Sequence, residues 1–151
     1  MTARVLAVGL VVAVVAAIIV DGGKADRVRR MPQAQLERVA RHVARHGGIR
    51  GSCYGCATPY MRRLSLELVW RAFPAWSRQW AVCITLREAG ANPGAVSPTS
   101  DYGLGQIHVA AHPEFSAWRL THDPVYSARA FRVLAEGGRV RHPWDGGRWP
   151  C

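Results

Sequence analysis

One helix, and the way it ends, constrains this chain more than any other stretch. Ala75 to Ala89 carries Trp76, Trp80, Cys83, Ile84 and Glu88 at offsets 0, 4, 7, 8 and 12. At 100° per residue those five positions share one face. Gly90 follows as a C-terminal cap, and Ala91 to Ser100 is so rich in Pro, Gly, Asn and Ser that it must turn. Asp101 to Val109 is then expected to form the short strands of a small hairpin. A helix therefore stops beside a turn and a minor β element, with a lone carboxylate at the stop.

The rest of the chain reads as helical. Met31 to His46 has Pro32 in its first turn, a stripe of Leu36, Val39, Ala40, Val43 and Ala44, and Gly47-Gly48 to end it. Its other face, Arg38, Arg41 and Arg45, reads as solvated surface. Gly51 to Pro59 is a loop carrying a C-x-x-C. Arg62 to Phe73 is expected to be helical and closed by Pro74, although Leu64 to Leu68 alternates as a strand would. Asp123 and Pro124 suit the N-cap and first position of a last helix running to about Glu136, stopped by Gly137-Gly138. The tail from His142 to Cys151 has no periodicity. The expected class is mainly α (α+β). With no repeat or dividing linker, 26–151 reads as a single domain.

Residues 1–25 read as a signal peptide or signal anchor. Val5 to Val20 is an uninterrupted run of sixteen apolar or Gly residues after Met1 and Arg4, closer to a signal-peptide core than to a span of about 20 residues. Gly23 and Ala25 offer a cleavage pair before Asp26; an uncleaved membrane anchor through residues 5–20 is the alternative. The chain is expected to be exported: secreted, wall-associated or held on the outer side of the cytoplasmic membrane. Its net charge is +10, and 19 of its 20 basic residues are Arg. Such a surface selects for anionic partners. Four cysteines, Cys53, Cys56, Cys83 and Cys151, form an even set that favours disulfides in an exported chain. His42 and His46 with Cys53 and Cys56 make a rival zinc set, and free thiols are a third reading.

Glu88 is the residue on which chemistry can be built. A carboxyl on the apolar face of a Trp/Ile/Cys helix is expected to have a raised pKa. An acid still protonated near neutrality can donate its proton to a leaving oxygen. Being two residues from the helix end, it would stand at the mouth of a cleft. The structural alternative is a solvated last-turn glutamate.

The run from Glu88 to Ile107 resembles the signature of the lysozyme superfamily. It is most similar to soluble lytic transglycosylase and goose-type lysozyme domains, with their E-S-x-x-N-P-x-A-x-S…G-L-x-Q-I pattern. Glu88 takes the catalytic acid position; Asn92, Pro93, Ala95 and Ser97 match the turn. Gly103, Leu104, Gln106 and Ile107 match the substrate-lining strand. Asp101-Tyr102-Gly103 also resembles chicken-type lysozymes, whose second carboxylate occupies that aspartate. Those lysozymes place a cysteine five residues before the catalytic Glu, as Cys83 is here. The resemblance thus implies a lysozyme-like fold and the pairing Cys83–Cys151; Cys53–Cys56 is the other pair expected. Two departures stand out: Ala89 follows the glutamate where the family has Ser, and Ser127 stands where the later helix commonly has Asn.

The resemblance implies an enzyme that cuts the β-1,4 link between N-acetylmuramic acid and N-acetylglucosamine, as a lytic transglycosylase or a lysozyme-type muramidase. Such cleavage needs an acid for the bridging oxygen and stabilisation of an oxocarbenium-like transition state. Glu88 supplies the first. Asp101 or the substrate's own N-acetyl group supplies the second, and Asp101 has the alternative role of capping its own loop. Tyr102 and Gln106 are candidates to line the cleft, together with Asn92, Ser97, Gly103 and Ser127. Trp118, Trp144 and Trp149 read as core or rim residues rather than sugar platforms. His108 and His112 could flank the cleft. The expected partner is the peptidoglycan glycan strand, bound by a monomer without a cofactor. Nothing matches a helix-turn-helix, a zinc finger or an aromatic-interleaved nucleic-acid-binding sheet. The alternative function is a non-catalytic peptidoglycan-binding protein on the same fold.

Overall fold

A computed structural model describes residues 26–145 and Cys151. The expected leader at 1–25, with its apolar run 5–20, and Trp149 lie outside those residues. Among the described residues, no helix is long and apolar enough to cross a membrane. The chain divides into two units, residues 1–31 and 32–151. In the first, residues 26–30 are helical. The Met31 N–H closes this turn on the Val28 carbonyl at 3.2 Å, and Arg30 pairs with Asp26 at 2.7 Å.

The second unit is mainly helical with one two-stranded antiparallel sheet. Helix α1 is Gln33–Val43, with Leu36 and Ala40 buried. A wider helical turn, Ala44–Gly48, follows and breaks at His46 and Gly47. Helix α2, Pro59–Ala72, begins three residues earlier than the periodicity suggests, because Thr58 caps it. The Thr58 hydroxyl accepts from the Met61 N–H at 3.1 Å, and Pro59 takes the first position. Met61, Leu64, Ser65, Leu68 and Val69 are its buried residues, so the alternation at 64–68 resolves into a helical stripe.

Pro74 ends that segment, and the expected single helix from Ala75 is in fact two pieces. Ala75–Ser77 is a 3₁₀ turn and α3 proper is Arg78–Ala89. Ser77, at φ −118° and ψ 1°, departs from α-helical geometry. The break takes Trp76 off the predicted stripe and leaves it 59% exposed. The buried residues of α3 are Trp80, Ala81, Ile84, Thr85 and Ala89. Gly90 caps it in the left-handed region at φ 56°. A side chain there would strike the Gly55 backbone of the C-x-x-C loop.

Strands β1, Asp101–Tyr102, and β2, Ile107–His108, pair antiparallel with Asp101 opposite His108 and Tyr102 opposite Ile107. The expected hairpin thus forms. Helix α4, Ala117–His122, is an element the sequence reading lacked; Ser116 caps it through the Arg119 N–H at 3.3 Å. Helix α5, Pro124–Leu134, starts as expected, with Asp123 Oδ1 accepting from the N–H groups of Val125 at 3.0 Å and Tyr126 at 3.2 Å. The tail, read as irregular, opens with a short helix α6, His142–Asp145.

Helix α2 packs against α1, α3 and α5. Where α3, α5 and the tail meet, Phe73, Trp80, Phe131 and Trp144 form one aromatic cluster. Ring centroids lie 4.9 Å apart for Phe73–Phe131, 5.9 Å for Trp80–Trp144 and 5.2 Å for Phe131–Trp144. Burying each ring contributes about 1.5–3 kcal/mol, and each edge or tilted pair adds about 0.5–1.5 kcal/mol. Trp144 is 5% exposed and its indole N–H donates to the Gly105 carbonyl at 2.8 Å, so the cluster also fixes the loop between the strands.

Candidate active site

Glu88 lies in the last turn of α3, one residue before its end. It continues the face of Trp80, Ala81, Ile84 and Thr85, as the spacing implies. Its surroundings are not purely apolar, however. Its side chain is 31% exposed, and Oε1 accepts from Arg87 Nε at 2.9 Å and Nη2 at 2.8 Å. The same guanidinium donates to the Trp144 carbonyl, so Arg87 ties the carboxylate to the tail. Sequence reasoning missed Arg87 because neighbours in sequence point to different sides of a helix, and only its long side chain bridges them.

After Gly90 the backbone turns on Asn92, which is fully buried. Asn92 Nδ2 donates to the carbonyls of Gly51 and Cys53, both at 2.9 Å, and its Oδ1 accepts from the Gly94 N–H at 3.0 Å. Asn92 therefore fastens the C-x-x-C loop to the turn rather than facing a ligand. Two more bonds complete the seam: the Gly55 N–H donates to the Ala89 carbonyl at 3.1 Å, and the Val96 N–H to the Ser52 carbonyl at 2.8 Å. The Tyr54 hydroxyl adds a bond to the Leu86 carbonyl at 2.6 Å.

Cys53 pairs with Cys56, Cα atoms 5.3 Å apart, and Cys83 with Cys151 at 5.7 Å. The rival zinc set does not assemble. His46 Nδ1 donates to the His42 carbonyl at 2.8 Å and the two rings stack. Cys53 and Cys56 bond to each other, and among the described residues no group of three or more His, Cys, Asp or Glu is placed to hold a metal.

Asp101 sits in a closed polar loop. Its Oδ2 accepts from the Ser97 hydroxyl at 2.7 Å and the Thr99 hydroxyl at 2.6 Å, and its Oδ1 from His108 Nδ1 at 2.9 Å. The Asp101 N–H returns a bond to Ser97 Oγ at 3.0 Å. Burial pushes the carboxyl up, but the bonds from Thr99, Ser97 and His108, with the charge on His108, outweigh it and hold the pKa below the ordinary carboxylate value. Ser97 and His108 are thus engaged with Asp101. His112 lies 3.4 Å from Glu114.

The G-L-x-Q-I segment is mostly interior scaffolding. Gly103 has φ 76°, and a side chain there would strike the Ser127 hydroxyl and the Leu120 carbonyl. Ser127 is fully buried, its hydroxyl accepting from the Leu104 N–H at 2.9 Å; it joins α5 to the strand loop instead of reaching a substrate. Gln106 takes a left-handed φ of 48° and donates through Nε2 to the Gly103 carbonyl at 2.9 Å and the Ala95 carbonyl at 3.3 Å.

Tyr102 does reach open space. It lines a groove of about 440 Å³ with Ser52, Gly94, Val96, Trp118 and His122. Trp118 and His122, with Ile49, also line a neighbouring cavity of about 410 Å³ that includes Arg41, Arg45 and Asp123. Glu88 lines neither. Trp144 is core, while Trp118 is 67% exposed. The face read as solvated is partly engaged: Arg41 Nε lies 3.2 Å from Asp123 Oδ1, and its Nη1 lies 3.9 Å from Glu37. No family model, curated protein or solved structure matches the chain.

Proposed function

We propose that this chain cleaves the β-1,4 glycosidic links of peptidoglycan, with Glu88 as the general acid. The observation that carries the reading is the order of parts around Glu88. A carboxylate stands in the last turn of a helix with one buried face. The turn that follows is locked by Asn92, and it leads into a small sheet whose Tyr102 opens on a groove. A helix-end carboxylate with a fixed β element beyond it suits a long polymer that must cross the chain and be protonated at one oxygen. In this reading Arg87 orients the Glu88 carboxyl by bonding both to it and to the Trp144 carbonyl. Asp101 keeps its loop bonds and shapes the turn before Tyr102, so the substrate's N-acetyl group stabilises the developing cation. The lysozyme-like fold, export and action at the cell wall belong to the same proposal, and the basic surface suits an anionic polymer.

The Arg87–Glu88 ion pair also favours a second reading, a non-catalytic peptidoglycan binder, since a permanently paired carboxylate donates no proton. Turbidity loss of purified peptidoglycan separates the two. Glu88→Gln is expected to lower turnover about 10²–10⁴-fold with the fold intact. Mass spectrometry of the released muropeptides then tells a reducing from a 1,6-anhydro product. Near-wild-type lysis by Glu88→Gln refutes the assignment, and strand binding without lysis by the wild type establishes the binder.

A further inference from the structure

The C-x-x-C loop touches the segment around Glu88 with every residue of its tip. The Gly51 and Cys53 carbonyls accept from Asn92 Nδ2, both at 2.9 Å. The Ser52 carbonyl accepts from the Val96 N–H at 2.8 Å, and the Gly55 N–H donates to the Ala89 carbonyl at 3.1 Å. The Tyr54 hydroxyl donates to the Leu86 carbonyl at 2.6 Å. Residues 51–55 thus bond to positions 86, 89, 92 and 96, which bracket Glu88 in sequence. Gly90 approaches so closely that a side chain there would strike the Gly55 backbone.

A single covalent bond closes this tip. The base of the loop is paired: the Arg50 N–H donates to the Cys56 carbonyl and the Thr58 N–H to the Gly48 carbonyl, both at 2.8 Å, and Ile49 bridges Ala57. Within that base, residues 51–56 form neither helix nor strand. The Cys56 N–H donates to the Cys53 carbonyl at 3.1 Å, and the Cys53–Cys56 disulfide closes the same turn. Cys53 is exposed and Cys56 half-buried. Access therefore directs an incoming thiolate to the Cys53 sulfur, with Cys56 as the leaving group.

We propose that Cys53–Cys56 is a thiol–disulfide exchange site for a dithiol reductant, and that its redox state sets the order of the turn after Glu88. One thiolate of the dithiol attacks Cys53 Sγ, forming a mixed disulfide and releasing Cys56 as a thiolate that takes up a proton. The second thiol of the dithiol then attacks its partner sulfur, so the reductant leaves as a disulfide and Cys53 is freed as a thiol. Two electrons and two protons pass from the dithiol to the protein. Without the covalent closure, residues 51–56 gain conformational freedom, and their bonds to positions 86–96 loosen as a group. The paired base keeps the two thiols near each other, so oxidation reverses the change. The effect on cleavage rests on the reading of Glu88 as the acid; the exchange itself does not.

The test uses the full-length protein in native buffer, with dithiothreitol as the dithiol. Iodoacetamide traps free thiols, and peptide mapping reports which cysteines have opened. Cys53 and Cys56 are expected to be alkylated while circular dichroism still shows the helices. Hydrogen exchange then reads the seam: the amides of Gly55, Gly94 and Val96 are expected to exchange about tenfold or more faster after reduction. Oxidation with diamide should restore their rates. The double variant Cys53→Ser, Cys56→Ser should exchange like the reduced protein and no longer respond to dithiothreitol, which excludes the Cys83–Cys151 bridge as the source of the response. Lysis of purified peptidoglycan should fall about tenfold on reduction and recover on oxidation. If Cys53 and Cys56 open only when the protein unfolds, or if the seam amides keep their rates once the bridge is open, the proposal is overturned. Seam amides that quicken while Glu88→Gln lyses normally leave the exchange site standing and remove the acid assignment. Unchanged amides, with lysis abolished by Glu88→Gln, remove the exchange site alone.

Discussion

Asn92→Ala tests whether the turn after Glu88 is built from within or presented to a ligand. The Asn92 amide makes three hydrogen bonds, two to carbonyls of the C-x-x-C loop and one from the Gly94 N–H, and its side chain is fully buried. A neutral intramolecular bond contributes about 1 kcal/mol net, and a partner left buried without one costs about 1–3 kcal/mol. Gly51 and Cys53 are exposed residues, so their carbonyls can turn to water, whereas Gly94 is buried and its N–H cannot do so as readily. The expected loss is therefore about 2–4 kcal/mol. Urea unfolding followed by circular dichroism measures it as a lower midpoint at unchanged slope. Asn92→Asp should cost at least as much, because a carboxylate would face the Gly51 and Cys53 carbonyls with no proton to offer them. A loss under about 1 kcal/mol, coupled with a raised KM, would refute the argument and return Asn92 to the substrate-binding role that the motif resemblance implies.

Two further perturbations bear on the same region. Asp101 has a folded-state pKa below its ordinary value of 3.8. Its ionic contribution to stability is present above that value and is lost as pH falls through the lower folded value. Asp101→Asn should therefore flatten the acid limb of stability below about pH 4, read from urea midpoints across pH. It should also keep at least about a tenth of wild-type lysis, whereas loss of a transition-state charge costs a hundredfold or more; a folded but inactive variant would make Asp101 a second catalytic carboxylate. The Cys83–Cys151 bridge spans 68 positions and ties the chain end to the middle of α3. Replacing both cysteines with Ala should cost roughly 2–4 kcal/mol, measured by thermal unfolding, and an unchanged midpoint would count against a bridge that constrains the unfolded chain.

The local events follow from neighbouring residues alone. Asp123-Pro124 starts a helix, Gly90 ends one, and the Pro/Gly/Asn-rich stretch turns into a short hairpin, because caps, left-handed glycines and turn residues act over a few positions. Helical spacing also put Glu88 on the face of Trp80 and Ile84. What tertiary structure decided is where each side chain's polar atoms end. Asn92, Ser97 and Ser127 look alike in a motif whether they face a sugar or a neighbouring backbone. Their roles follow from Gly51, Asp101 and Leu104, and in two of the three cases the partner lies more than twenty residues away. Arg87, paired with Glu88, also reaches the Trp144 carbonyl that the tail brings beside it. Trp118 and Trp144, equivalent in composition, part company for the same reason. One has its indole N–H satisfied by Gly105 within an aromatic cluster, and the other lies on a short surface helix that only the packing of α5 and the sheet leaves open to water. Local periodicity carries no information about contacts between distant segments, and those contacts determine which polar groups remain available to a substrate.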